Sequence, residues 1–244
     1  MSLSNPPRVY IGWDPREAEA YKVAEYSLRR RASGPVVVTP IELARNEAWG
    51  LMTRPWHMKG GNLWDPISLA PASTEFAISR FLTPLLAQTG WSLFVDCDML
   101  FLDDVYRLFA LADPRYACMC VKHQHVPREM TKMDNQIQTA YHRKNWSSVV
   151  LWNSDHQDTQ RLCLNLINES PGRDLHAFKW LADGEIGELP PEWNWLVGVQ
   201  RMPLRPCLAH YTLGFPAMAG HEKAEHADLW LEEYNSMQRA AAPV

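Results

Sequence analysis

The sequence predicts one α/β domain on a mostly parallel central sheet flanked by helices, and three observations carry that prediction. The chain opens as strand, helix, strand: Arg8 to Gly12 (RVYIG), a helix reaching about Arg31, then Val36 to Ile41. Such an opening implies a parallel pair joined by a right-handed crossover. Trp91 to Val95 (WSLFV) is a continuous apolar run, as expected of a strand buried on both faces. The 244 residues, 46% hydrophobic and 21% charged, suit one sizeable core and are a poor fit to two full domains or to disorder.

Each element has local signals. Asp14 is placed to cap the first helix, with Pro15 at its first position. Ser33-Gly34-Pro35 stops that helix. Glu42 to Ala72 holds Trp49, Trp56 and Trp64 with little periodicity, and reads as a long functional loop. Ser73 or Thr74 is expected to cap a helix through Phe76, Arg80 and Leu85, with Glu75 in its first turn. Asp103-Asp104 opens a short helix, and Tyr116 to Val121 is a further strand. Lys122 to Asn145 is polar and irregular, a second candidate loop over a site. Ser148 to Trp152 reads as a strand, Asp155 to Ser170 as a helix, Leu175 to Leu181 as another, and the tail after Gly220 as a charged helix. The expected layout is one domain over 1–244, with one half at about 8–121, a second at about 122–220, and a tail at 221–244.

Composition excludes several classes. A formal charge of −4 gives no basic field for nucleic acid. Arg29-Arg30-Arg31 fits a helix end, where cations oppose the dipole, with peripheral membrane docking as the alternative. No run approaches the roughly 20 apolar residues of a membrane span, and Met1 to Pro7 carries no signal-peptide core. Five cysteines with no paired framework predict reduced thiols and a cytoplasmic location; Cys118 and Cys120 should share one face of a strand as core thiols. Eleven tryptophans suit either sugar stacking or core packing.

The chemistry concentrates at Asp96-Cys97-Asp98, just past the buried Trp91–Val95 strand. In open α/β sheets ligands bind beyond the carboxyl ends of strands. Two adjacent carboxylates there repel each other, and a divalent cation relieves the repulsion while leaving positions for phosphate oxygens. Solvated turn aspartates are the bland alternative. A haloacid-dehalogenase-type phosphatase is another, but it needs Thr or Val where Leu100 stands and usually carries the motif on its first strand. His210, in Leu208-Ala209-His210-Tyr211-Thr212, is a candidate third ligand, and a mixed Asp/His set suits manganese. Arg80 can hold a phosphate or a carboxylate, or pair with Glu75.

Taken in order, these segments resemble the retaining, family-8-like glycosyltransferases of the GT-A fold, the Rossmann-like nucleotide-diphospho-sugar transferases, in a bacterial branch. The resemblance runs from about Val9 to Pro216: Val9 to Asp14, Ser73 to Phe76 with Arg80 to Leu82 and Pro84, Asp96 to Leu100, Lys144 to Asn153, Leu189 to Leu196, and His210 to Gly214. It implies Mn2+ (or Mg2+) on Asp96, Asp98 and His210. It further implies Gly12 and Asp14 in a nucleoside pocket, Arg80 steadying the diphosphate and the carboxylates, and Asn153 beside the donor sugar. Asp183 or Glu185 falls near the anomeric carbon, with Asp183 the candidate catalytic group. The chain departs from the family at Trp146-Ser147-Ser148, where Asn-Ala-Gly is usual, at Gly184 in place of glutamine, and after Tyr211, where Lys-Pro-Trp often follows; Lys223 could substitute for that lysine only if the tail folds back.

The implied activity is transfer of a hexose from a nucleotide-diphosphate sugar, a UDP-hexose in the first instance, to a hydroxyl of a glycan, lipid-linked or small-molecule acceptor, with retention. A non-catalytic sugar- or nucleotide-binding module of the same fold and the phosphatase remain the competing readings.

Overall fold

The computed structural model describes residues 5–124, 143 and 145–241. Most of the segment expected as a second loop, including Lys144, therefore lies outside the described residues, as does most of Met1 to Pro7.

β1 (Arg8–Gly12) and β2 (Val37–Ile41) pair in parallel around α1 (Ala18–Arg31). Asp14 does cap the entry: its side chain accepts from Arg16 N and starts a 3-10 turn over Pro15–Glu17 that runs into α1. At the other end of α1 the three arginines are engaged internally. Arg29 pairs with Glu25, while Arg30 and Arg31 both meet the buried Glu233 at 3.2 and 2.7 Å. The charges of Arg30 and Arg31 fasten the C-terminal helix to α1.

The stretch after β2 differs from the expected loop. It forms α2 (Leu43–Ala48) and a small antiparallel sheet of β3 (His57–Lys59), β4 (Asn62–Asp65) and β5 (Ala70–Pro71). A buried ion pair, Arg54 Nη2 to Asp65 Oδ2 at 2.5 Å, holds it, and Arg54 Nη1 also donates to Ile167 O and Ser170 O. The expected helix from Ser73 is likewise shorter, a 3-10 turn at Ser79–Leu82 leading into α3 (Thr83–Ala87) without a side-chain cap. Glu75 N instead donates to Asp14 Oδ2.

β6 (Trp91–Val95) is followed by β7 (Met99–Phe101), α4 (Val105–Phe109), β8 (Cys118–Cys120) and β9 (Val149–Asn153). The single helix expected at Asp155 to Ser170 is a 3-10 turn at Thr159–Arg161 plus α5 (Leu164–Glu169), and α6 is Gly172–His176. β10 (Ile186–Glu188), β11 (Trp195–Leu196), β12 (Leu208–His210) and α7 (Ala227–Ala241) complete the chain.

The six-stranded sheet has the order β10-β8-β9-β6-β1-β2. All its strands run one way except β9, which is antiparallel to both neighbours. The expected mostly parallel α/β sheet is thus observed. A three-stranded sheet β11-β12-β7 stands beside it. The larger core packs on the six-stranded sheet. A second cluster of Ala20, Val23, Leu100, Trp195, Tyr211 and Trp230 lies between α1, the three-stranded sheet and α7. Trp152, Trp195 and Trp230 are fully buried, so part of the tryptophan content is core. All five cysteines are free, and Cys118 and Cys120 are buried. Among the described residues no helix is long and apolar enough to cross a membrane.

Candidate metal and donor site

The site is built where the two sheets meet. β6 delivers Asp96 past its carboxyl end, and Asp96 N donates to Ser148 O at 3.0 Å. β7 begins one residue after Asp98 and pairs antiparallel with β12, setting His210 opposite Met99, while Tyr211 N donates to Asp98 O. That register carries the imidazole to the carboxylates across more than a hundred residues of sequence. Potential ligand atoms of Asp96, Asp98 and His210 all lie within 4.8 Å of one another. Cys97 between the aspartates is fully buried and donates its thiol to Glu17 Oε2 at 2.8 Å. Its side chain therefore faces away from the triad, and burial and the Glu17 charge raise its pKa.

The triad is held, yet chemically incomplete. Arg80 is buried, donates to Ser147 O and Ala77 O, and stands 2.7 Å from Asp96 Oδ1. The expected ligand-steadying arginine thus touches Asp96 rather than Glu75. Asp96 Oδ1 and Asp98 Oδ1 are nevertheless buried without an aligned hydrogen bond. Burial, reinforced by Asp98 and opposed by Arg80, pushes the Asp96 pKa up to about 7. Burial acts on Asp98 the same way, but the charge and hydrogen bonding of His210 outweigh it and the net shift is downward. Burial lowers the His210 pKa; the charges of Asp98 and Asp96 more than reverse that. Two buried carboxylate oxygens without an aligned hydrogen bond, one of them 3.4 Å from an imidazole nitrogen, fit a hard or borderline divalent cation.

Asn194, a fully buried residue that the sequence reading passed over, supports this fit. Its Nδ2 donates to Ser148 Oγ at 3.0 Å and to Asn145 O, so its Oδ1 faces His210 Nδ1 at 3.0 Å. The neutral His210 ring then carries its proton on Nδ1 and its lone pair on Nε2, towards Asp98. A carbonyl acceptor behind a metal-binding histidine is the usual way of fixing that tautomer. The Trp-Asn pair in the motif at Leu189 to Leu196 was the available signal.

The other expected residues distribute differently. Gly12 is needed for packing, because a Cβ there would meet the Phe76 ring at 2.4 Å. Asp14 has no exposed surface. Oδ1 accepts from Arg16 N and Nε, and Oδ2 from Arg16 Nη2 and Glu75 N. Burial would raise its pKa, but these donors outweigh it and lower it. Asp14 therefore shapes the turn after β1 instead of offering a free carboxylate to a nucleoside. Asn153 requires a correction. Because β9 is antiparallel, Val149 faces Val95 and Asn153 faces Trp91, at the opposite end of the sheet from Asp96. The β9 residues at the site are those preceding the strand, Ser147 and Ser148.

Asp183 is 88% exposed and ion-paired with Arg143. It borders a cavity of about 540 Å3 with Lys122, His123, Trp146 and Glu188. Glu185 instead turns inward to accept from Ala182 N, and its backbone pairs with Ala117, towards the far end of β8. Of the two acids only Asp183 reaches the cavity. Past His210, Gly214 has φ 118°, and a Cβ would meet the His221 ring at 2.4 Å, so this turn demands glycine.

No known family profile matches the chain. It is 43% identical over 250 residues to Protein CDI of Arabidopsis thaliana, covering 99% of this chain and 92% of that protein. Among solved structures it superposes on the bifunctional glycosyltransferase WbbM with a TM-score of 0.63 at 12% identity, over 98% of this chain and 52% of that one. It matches the glycosyltransferase GlyE of Streptococcus pneumoniae at 0.60 and 13% identity, over 97% and 63% of the two chains. It matches the galactosyltransferase LgtC, solved with donor and acceptor sugar analogues, at 0.58 and 17%, over 97% of both. The chain thus spans about half of the WbbM chain and under two thirds of the GlyE chain. The fold is that of the GT-A glycosyltransferases.

Proposed function

The chain belongs to the family of Protein CDI from Arabidopsis thaliana, and from that premise and the GT-A fold we propose a metal-dependent retaining glycosyltransferase. It moves a hexose from a nucleotide-diphosphate sugar, UDP-hexose first among candidates, to an acceptor hydroxyl on a glycan, a lipid-linked sugar or a small molecule. We place it in the cytoplasm. The observation that carries this reading is the convergence of Asp96, Asp98 and His210, whose candidate ligand atoms lie within 4.8 Å of one another and whose two buried carboxylate oxygens have ion-pair contacts but no aligned hydrogen bond.

In this reading the three residues hold Mn2+ or Mg2+, which when bound supplies Lewis acidity against the charge growing on the departing nucleoside diphosphate. Arg80 favours the ionised form of Asp96 against its burial and fixes the carboxylate through its contact at 2.7 Å. Asn194 holds His210 in the ligating tautomer. Asp183, paired with Arg143, lies at the cavity edge, and we assign it the role of stabilising positive charge at the anomeric carbon. An exposed, arginine-paired carboxylate is a poor nucleophile, so the acceptor proton passes to the leaving phosphate on the same face instead of following a double displacement. For the phosphatase, the nucleophile would be Asp96, which Arg80 already occupies.

The test is Mn2+ titration calorimetry and metal-dependent donor hydrolysis on D96N and D98N, with thermal melting as the folding control. Loss of both signals in folded variants is expected. Unchanged turnover would sink the metal-site assignment, and sugar binding indifferent to Mn2+ and nucleotide would turn the reading towards a non-catalytic module.

A further inference from the structure

His123 lies just beyond β8 and is 6% exposed, yet it borders the same cavity as Trp146, Arg143 and Asp183. Its main chain is anchored, because Trp146 Nε1 donates to His123 O at 3.1 Å. Its ring is oriented by Gln200. The Gln200 Oε1 accepts from Leu196 N at 3.1 Å, so the amide nitrogen is the atom that faces His123 Nδ1, also at 3.1 Å. An amide N–H can only donate, which makes Nδ1 the acceptor and puts the proton of the neutral ring on Nε2. That Nε2 is buried and has no hydrogen-bond partner among the described residues.

The position ties this ring to the triad. Leu196, which fixes Gln200, is the sheet partner of His210. Burial, and then the charge of His210, push the His123 pKa down to about 4. At neutral pH the ring is therefore uncharged and serves as a donor, not as a proton source. A buried N–H left unpaired costs folding free energy, because it has given up its hydrogen bond to water. Such a group, bordering a cavity beside a candidate cation site, lacks one thing: an acceptor brought by a ligand.

We propose that His123 donates its Nε2–H to an oxygen of the transferred sugar, and that Gln200 is the positioning residue that sets this tautomer. The inference rests on the glycosyltransferase reading above and adds a residue that contacts the sugar rather than the diphosphate.

Two substitutions separate the roles. H123Q keeps a donor where Nε2 stands, whereas H123N keeps only the side of the ring facing Gln200. Q200E leaves His123 intact but sets a carboxylate against Nδ1, which draws the proton to that nitrogen. Two-bond 1H–15N spectra of the full chain labelled at histidine should show the Nε2–H form in the wild type and the Nδ1–H form in Q200E. Calorimetry with Mn2+ then uses the tightest binder from a panel of UDP, GDP and dTDP sugars, beside its parent nucleoside diphosphate. H123N and Q200E should bind the nucleotide sugar about tenfold more weakly, with the nucleoside diphosphate unchanged, and H123Q should stay near wild type. An Nδ1–H ring in the wild type overturns the proposal, as does equal loss for both ligands or none for either; those outcomes leave the glycosyltransferase reading standing. If no nucleotide sugar binds the wild type with Mn2+, that reading fails and this one with it.

Discussion

At one end of the β6–β9 ladder Trp91 faces Asn153; at the other Val95 faces Val149 and the chain continues into Asp96. The strands between are equally apolar and equally buried. The Asn153 end closes on itself. Asn153 Nδ2 donates to Tyr116 O, its Oδ1 accepts from Asp155 N, Ser154 N donates to Gly90 O, and Thr159 Oγ1 donates to Ala117 O. At the Asp96 end two buried carboxylate oxygens face Arg80 and His210 without an aligned hydrogen bond, and the buried His123 Nε2 has no hydrogen-bond partner among the described residues. Among the described residues the first end leaves one hydroxyl, that of Ser92, without a partner, whereas the second gathers two carboxylates and an imidazole that a cation can engage. Functional sites are where such local dissatisfaction is kept.

The sharpest way to break this contrast is at Arg80. Truncation to alanine strands Asp96 without its counter-charge, and losing one partner of a buried pair costs roughly 3 kcal/mol. Urea unfolding in EDTA should show that loss, and saturating Mn2+ should recover much of it, because a cation replaces the missing charge. A destabilisation indifferent to Mn2+ would mean that the triad holds no ion. Next in size is Asn194→Leu, which removes the carbonyl fixing the His210 tautomer. Losing the hydrogen-bond partner of a metal-binding histidine weakens metal affinity about 10- to 100-fold, measured by Mn2+ calorimetry.

A pH experiment probes the same end. The folded-state pKa of His123 lies at about 4 against the ordinary 6.5, so below pH 6.5 the unfolded chain takes up a proton that the native chain refuses. Its contribution to stability is complete above 6.5 and is lost as pH falls towards 4, at up to about 1.4 kcal/mol per unit. His123→Gln cannot titrate. The stability of the wild type relative to that variant should therefore fall between pH 6.5 and 5 in urea melts, and parallel curves would refute the buried neutral ring.

Much of this end was legible. Asp96 and Asp98 announce themselves by following an apolar strand, and His210 by its own short apolar run. Their meeting was not legible, since it depends on the pairing of β7 with β12, three residues each, too short for any periodic signal. The misplacement of Asn153 has a similar cause. An apolar run such as Val149–Asn153 reads alike in either chain direction, and only the connection decides that β9 runs against its neighbours. The sheet at His57–Pro71 escaped because its strands span two to four residues and because Arg54 and Asp65, which hold it, look like surface charges in sequence.

The mildest prediction tests the satisfied end. Asn153→Ala deletes two hydrogen bonds that join β9 to Tyr116 and Asp155, and leaves their backbone partners to find water at a position only 5% exposed. The expected cost is about 1–2 kcal/mol of unfolding free energy, with Mn2+ affinity and donor hydrolysis as in the wild type. Five strand residues of about 3.3 Å rise separate this end from Asp96, too far for a direct contact with a sugar on the metal. Were Asn153→Ala to lower turnover while sparing stability, the antiparallel register of β9 would be wrong, and with it the division of the ladder into a closed end and an open one.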